Sequence, residues 1–348
     1  MKDLFKKNYK LAVGQYDVYI LFIELAKTVL SPHGILSYIV PTRLLSNENF
    51  EEARKFLLEN IPISTYANVS MPFESANVEA NIMVCKRKKD KGVSIFSYNV
   101  ENKKFEYSSF FDYQKIKDLP FSIFPFVFTS DVLNVFEKIQ KIPNSPLKDY
   151  VEIIRGFECG YKDENIGKGL KKLIKAEAIF PYFINTNEII PCSPDFSNSK
   201  VYKTKDVFEK VPKLVTKFCS SQIKFALDNE GFYNTNSVYN CNPNKNANLS
   251  YLLGILNSPI TTFWFNVAFM NIDNLFPHIQ KNQLESIPIP TATSAQQQKI
   301  ITLVDSILAA KKQNPSCDTT AQETAIDKEV YALYGLTPTE IATVQGKE

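Results

Sequence analysis

The chain has 348 residues, 44% of them hydrophobic and 22% charged, with 40 Lys and Arg against 37 Asp and Glu. This is the composition of a globular protein with room for two domains of roughly 100–200 residues each. A net charge of +3 permits nucleic-acid binding without demanding it.

No apolar run approaches the roughly 20 residues of a membrane span, and Met1-Lys2-Asp3-Leu4-Phe5-Lys6-Lys7 lacks the apolar stretch of a signal peptide. The six cysteines are scattered without a Cys-x-x-Cys pair, and only His33 and His278 accompany them. No metal site is therefore expected, and the thiols read as reduced residues of a cytoplasmic protein.

Residues 1–15 form a basic, loop-like lead-in. The spacing of Tyr19, Leu21, Phe22, Leu25, Ala26, Val29 and Leu30 predicts a helix, stopped by Ser31-Pro32-His33-Gly34. The short apolar run from Ile35 to Pro41 predicts a buried parallel strand. A second helix fits Asn47 to Glu59, with Phe50, Ala53, Arg54, Leu57 and Leu58 on one side. Strands are expected at Ile63 to Val69, Val78 to Cys85 and Val93 to Tyr98, the first two joined by a loop carrying Met71-Pro72-Phe73.

Residues 108–146 read as a proline- and phenylalanine-rich connector with one helix near Asp131 to Lys141. A second domain, 147–348, opens with a strand running into Arg155-Gly156 and continues as short strands and Asn- and Pro-rich turns up to Pro243. Residues 249–268 predict one helix too apolar for a free surface. The tail, 296–335, predicts two amphipathic helices joined across Asn314-Pro315 as a hairpin.

These residues carry a resemblance. Tyr16-Asp17-Val18-Tyr19, the run from Gly34 to Pro41, and Met71-Pro72-Phe73 with Val78 five residues on are similar to the second half of the adenine-specific DNA methyltransferases. The closer likeness is to type IIG restriction-modification enzymes with a TaqI-like specificity domain. Arg155-Gly156-Phe157-Glu158-Cys159-Gly160 resembles that domain's Arg-Gly-x-x-Thr-Gly turn, with Cys159 in place of Thr. Gly231 to Ser237, Leu252 to Ser258, Ile287-Pro288-Ile289-Pro290 and Ile326 to Leu336 follow in the family's order.

The fold this implies is α/β. A partial Rossmann-like methyltransferase sheet (1–107) precedes an α+β target-recognition domain that ends in a helical hairpin. The family's Gly-rich S-adenosylmethionine loop and its Asn-Pro-Pro-Tyr motif are both missing, since the chain has no Pro-Pro pair and Gly167-Lys168-Gly169 follows polar residues. S-adenosylmethionine is thus expected in a complete enzyme and not on this chain alone, which is expected to be inactive in isolation. The expected partners are double-stranded DNA and an N-terminal methyltransferase half, with no membrane.

By the resemblance, Phe73 stacks on the flipped adenine, while Val18 and Phe22 lie near the cofactor's adenine. As a core Phe and helix-spaced apolar residues, the same three would be plain packing. Arg155, Lys162, Lys171, Lys172 and Lys175, with Lys168, are candidate DNA contacts, and the stretch Lys200, Lys203, Lys205, Lys213, Lys217 and Lys224 is a second candidate wall. A solvated surface explains the lysines equally well. The implied function is sequence-specific DNA recognition within a restriction-modification methyltransferase. The alternatives are a type I-like DNA specificity subunit without catalytic role, a self-sufficient methyltransferase, or an inactive fragment.

Overall fold

The computed structural model describes all residues except 1, 15, 70–78, 88–89, 100, 118, 120–121, 125, 127, 159–165, 194–204, 246, 270–277 and 348. The chain divides into two compact units, one of residues 1–130 with 268–270 and one of the remainder. The division falls inside the stretch read as a connector.

In the first unit, α1 (Lys2–Asn8) replaces the expected loop-like lead-in with a short helix. Its last turn carries Lys6 and Lys7, which suit the negative end of a helix. α2 (Val18–Val29) leads into β1 (Ile35–Pro41), then α3 (Glu51–Asn60), β2 (Ile63–Asn68), β3 (Ala80–Lys86), β4 (Gly92–Asn99), β5 (Lys104–Asp112) and α4 (Tyr113–Lys117). The strands form one sheet in the order β1-β3-β2-β4-β5, with β2 and β4 parallel and the other pairs antiparallel.

β1 corrects the sequence reading. It is an antiparallel edge strand, and it alternates, with Leu36 and Val40 buried while Ile35 and Ile39 are exposed. An unbroken apolar run does not by itself tell burial on both faces from burial on one. β5 has no counterpart among the expected strands and extends the sheet past residue 107, because its apolar residues alternate with Lys, Glu and Ser and most of it is exposed.

The buried side of α3 is as expected, with Phe50, Ala53, Leu57 and Leu58 in the core beside a fully buried Arg54. Arg54 Nη1 donates to the carbonyls of Leu44 (2.9 Å) and Asn47 (2.7 Å), and burial pulls its pKa down to about 10. The guanidinium is thereby paired inside the core by carbonyls of the turns after β1.

The second unit runs α5 (Ser130–Lys141), β6 (Asn144–Pro146), β7 (Val151–Arg155), β8 (Ile166–Ile174), β9 (Ile190–Cys192), α6 (Asp206–Glu209), β10 (Lys213–Lys217), β11 (Phe225–Asp228), β12 (Tyr233–Asn234), β13 (Val238–Pro243), α7 (Leu249–Asn257), α8 (Pro259–Phe269), α9 (Lys281–Glu285), β14 (Pro288–Pro290), α10 (Ser294–Gln313), α11 (Thr320–Leu333) and α12 (Pro338–Val344). A four-stranded sheet has the order β11-β10-β13-β7, a three-stranded one β12-β8-β9, and β14 pairs with β6.

The single helix expected over 249–268 is two, bent by 65° at Ser258. Pro259 lacks an amide proton and forces Ser258 into an extended conformation, so the first helix must end there. Among the described residues no single helix is long and apolar enough to cross a membrane.

α10 and α11 pack together as the expected hairpin through Ile300, Val304 and Ile307 and through Ile326, Val330 and Tyr331. α7 is tied to β11 because Asn257 Oδ1 accepts from Phe225 N (2.8 Å) while Asn257 Nδ2 donates to Phe225 O (3.0 Å). Lys224 Nζ donates to the Asn257 carbonyl (2.8 Å) and acts electrostatically on Asp327 of α11, with Glu323 nearby.

Burial pushes the Asp327 carboxyl up from its ordinary 3.8 to about 6, against the pull of Ser258 and Lys224. Between those values the folded chain binds a proton that the unfolded chain does not. The contribution of Asp327 to stability therefore falls as pH rises through this window, and the penalty is fully present above it. We expect Asp327→Asn to gain about 1–3 kcal/mol on the parent in denaturant unfolding at neutral pH, and the gain to vanish near pH 4. A gain independent of pH would show that packing, and not the charge, sets the difference.

Candidate nucleic-acid interface

Two segments about eighty residues apart in sequence meet at the end of β7. Gly156 N donates to Val238 O (2.8 Å), Phe157 N to Asn234 O (3.1 Å), and Asn236 N to Phe157 O (2.8 Å). A Cβ on Gly156 would lie 2.0 Å from the Thr235 carbonyl oxygen and 2.4 Å from Asn234 Oδ1, so only glycine allows this approach. Behind the seam Asn234 and Asn240, both fully buried, exchange side-chain amide hydrogen bonds of 2.8 Å in each direction. Burying two primary amides is tolerable only because each satisfies the other.

Arg155 stands at the edge of this seam, half-buried. Its Nε donates to Asn236 O (2.5 Å), and its guanidinium lies 3.5 Å above the Phe218 ring. Phe218 in turn packs against the ring of exposed His278 at 4.8 Å, and Ile279 N donates to Phe218 O (2.8 Å). The arginine is thus oriented by a cation–π platform and a backbone acceptor before any ligand arrives.

The lysines differ in what they touch. Lys171 Nζ and Lys172 Nζ donate to Glu209 Oε1 and Glu230 Oε2 at 2.7 Å each. Lys171, with Tyr233 Oη, holds the Glu209 carboxyl below its usual range. Exposed pairs of this kind are worth at most about 1 kcal/mol, so a phosphate can displace the carboxylate. Lys168 and Lys175 are exposed. Lys162, Lys200 and Lys203 lie outside the described residues.

The second basic wall is not there as read. Lys213 is fully buried, 2.5 Å from Asp228 Oδ2, and donates to Phe208 O at 2.5 Å. Burial pulls its pKa down and Asp228 opposes this. Asp228 also accepts the amides of Glu230, Gly231 and Phe232 (2.9, 2.9 and 3.0 Å), so the pair shapes the turn between β11 and β12. Lys224 is spent on the Asn257 carbonyl, and Lys217 lies over the Phe180 ring at 5.7 Å. Counting lysines along the sequence could not reveal that β10 is an inner strand, where Lys213 has no route to solvent.

Residues 166–289 match the TaqI-like C-terminal specificity domain, and residues 1–73 match the Eco57I restriction-modification methylase family. Two segments of the chain are thus similar to parts of restriction-modification proteins. It is 43% identical over 58 residues to the type II restriction enzyme and methyltransferase RM.Eco57I of Escherichia coli, a stretch covering 17% of this chain and 6% of that protein. The solved structure of the type IIL restriction-modification enzyme MmeI in complex with DNA superposes over 99% of this chain and 54% of its own, with a TM-score of 0.63 at 14% identity. The type IIG restriction endonuclease BpuSI covers 95% of this chain and 50% of its own, with a TM-score of 0.42 at 13% identity. The chain thus spans about half the length of these solved structures.

The specificity-domain match takes in the Asn234–Ser237 side of the seam and the β8 lysines, while Arg155 and Gly156 precede it. In the methylase-like unit, Phe73 and its neighbours from 70 to 78 lie outside the described residues. Val18 and Phe22 are 52% and 53% exposed, and with Leu25 and Val29 they form one uncovered stripe along α2. The two are therefore not core residues of this unit.

The Lys213–Asp228 pair separates structural from surface lysines. Lys213→Met leaves a buried carboxylate unpaired and should cost on the order of 3–5 kcal/mol in urea unfolding, whereas Lys171→Ala should change stability by less than about 1 kcal/mol. Equal costs would mean that the burial of Lys213 is relieved in solution.

Proposed function

We propose that this chain recognises a specific duplex DNA sequence as the target-recognition part of an adenine-specific, S-adenosylmethionine-dependent restriction-modification methyltransferase acting in the cytoplasm. The observation that carries the reading is the coincidence of the TaqI-like match with a pre-oriented Arg155 and exposed lysines beside one glycine seam. Arg155 is the candidate base or phosphate contact, and Lys168, Lys171, Lys172 and Lys175 the electrostatic rim. Lys162 belongs to the same proposal by sequence.

The exposed stripe on α2 does not by itself hold S-adenosylmethionine. Val18 and Phe22 stand in an apolar stripe with Leu25 and Val29, which offers no acceptor for a ribose and no donor for a carboxylate. In this proposal the cofactor cradle and the Asn-Pro-Pro-Tyr grip come from a methyltransferase half that covers this stripe and adds to the free edge of β1, where Ile35 and Ile39 are exposed. Phe73 then stacks on the adenine extruded from the duplex.

Duplex binding is the direct test. Anisotropy against a randomised duplex pool should select one sequence class, with affinity falling steeply as salt rises. Arg155→Ala should weaken the selected duplex by about 1–3 kcal/mol and relax preference at one base pair. Equal loss on every duplex would instead make Arg155 a backbone contact or a structural residue.

Catalysis is tested by complementation with a polypeptide carrying the front half of such a methyltransferase. Phe22→Asp should prevent assembly. Phe73→Ala should leave assembly and duplex binding intact and lower methylation by roughly tenfold or more, the worth of about 1–3 kcal/mol of stacking. Duplex binding without any complementation would favour the type I-like specificity subunit.

A further inference from the structure

β8 contains an interruption that the Arg155 seam does not use. Ile166 and Lys171 both pair with Cys192 of β9, which leaves residues 167–170 outside the ladder as a projecting bulge. Gly167 (φ +90°) and Gly169 (φ +112°) turn the chain at either side of Lys168. A Cβ on Gly169 would sit 2.4 Å from the Cys192 carbonyl oxygen, so the bulge is pressed onto β9 where it begins to rejoin the sheet. The strand beyond is anchored, with Leu173, Ile174 and Cys192 fully buried. At the tip Leu170 is 101% exposed, more than any other large apolar residue described, and Lys168 is exposed beside it.

A leucine held wholly in water forgoes the gain that burial would return. Here it is held there by a defined backbone, next to Lys168, Lys171, Lys172 and Lys175. A stable protein interface buries about 800 Å² on each partner, whereas Leu170 stands between Lys168, Lys171 and Lys172, the last two held in exposed pairs with Glu209 and Glu230 that a phosphate can displace. Resting on the DNA-recognition reading above, we propose that the bulge 167–170 is a DNA-reading element of this domain. Lys168 meets a phosphate, and Leu170 makes the apolar contact, against a thymine methyl or as a wedge at a deformable base step.

The experiment uses the full chain, the duplex class selected from a randomised pool, and an unrelated duplex of the same length. Leu170→Ala should bind the selected duplex about tenfold more weakly while changing the unrelated duplex by less than about twofold, with an unchanged melting temperature because the side chain packs on nothing. Leu170→Met should restore most of the affinity. Lys168→Ala should weaken both duplexes alike and lower the salt slope by about one. Unchanged binding of the selected duplex by Leu170→Ala, or equal loss on both duplexes, overturns the inference alone and points to a protein contact or none. A parent chain that binds no duplex overturns the functional reading and this inference with it.

Discussion

The second unit depends on the close approach at Gly156. A chain leaving one sheet must satisfy its backbone polar groups at once, and here its amides donate to Asn234 and Val238 while the Phe157 carbonyl accepts from Asn236, at the crossing between β12 and β13. β12 pairs with β8, and β13 with β7, so this contact joins the three-stranded and four-stranded sheets. Arg155, one residue upstream, inherits its orientation from the same contact through the Asn236 carbonyl. A side chain at 156 would separate the segments and disturb the buried Asn234–Asn240 amides together with the arginine.

The two units treat exposed apolar surface differently. In the second, apolar helices are consumed internally, and α7 is buried from Tyr251 to Asn257. In the first, α2 buries Ile20, Leu21, Ile23 and Ala26 on one side while Val18, Phe22, Leu25 and Val29 face solvent on the other. The exposed residues recur at helical spacing, as a second core-facing stripe would. A helix apolar on both sides suits a position between two layers.

Much of this was legible in the sequence. β1 is bounded as expected by its apolar run and by Gly34 and Pro41, and the end of α2 by the Ser31–Gly34 stop. The motifs Arg155-Gly156 and Asn234–Ser237 were found separately, but their contact could not be, because register between distant strands is a tertiary property. α12 was missed although Thr337-Pro338-Thr339-Glu340 spells a capping box with proline at the first helical position, and the structure contains that box. The site was harder to read than the fold. Lys171, Lys172 and Lys213 look alike in composition, yet two form surface pairs and one a buried pair. Only burial tells them apart.

The interruption in β8 has a consequence for how such a domain can diverge. Because Ile166 and Lys171 face the same Cys192, the four residues between them contribute nothing to strand registry. Lys172 stays opposite Pro191, and Leu173 opposite Ile190, whatever the insert contains. The insert is therefore a cassette clipped to an invariant frame. Apart from Gly169, which lies against the Cys192 carbonyl and must stay glycine, its side chains can be exchanged without propagating a shift into the core, so surface chemistry at this point can drift while the fold beneath it stays under a separate constraint.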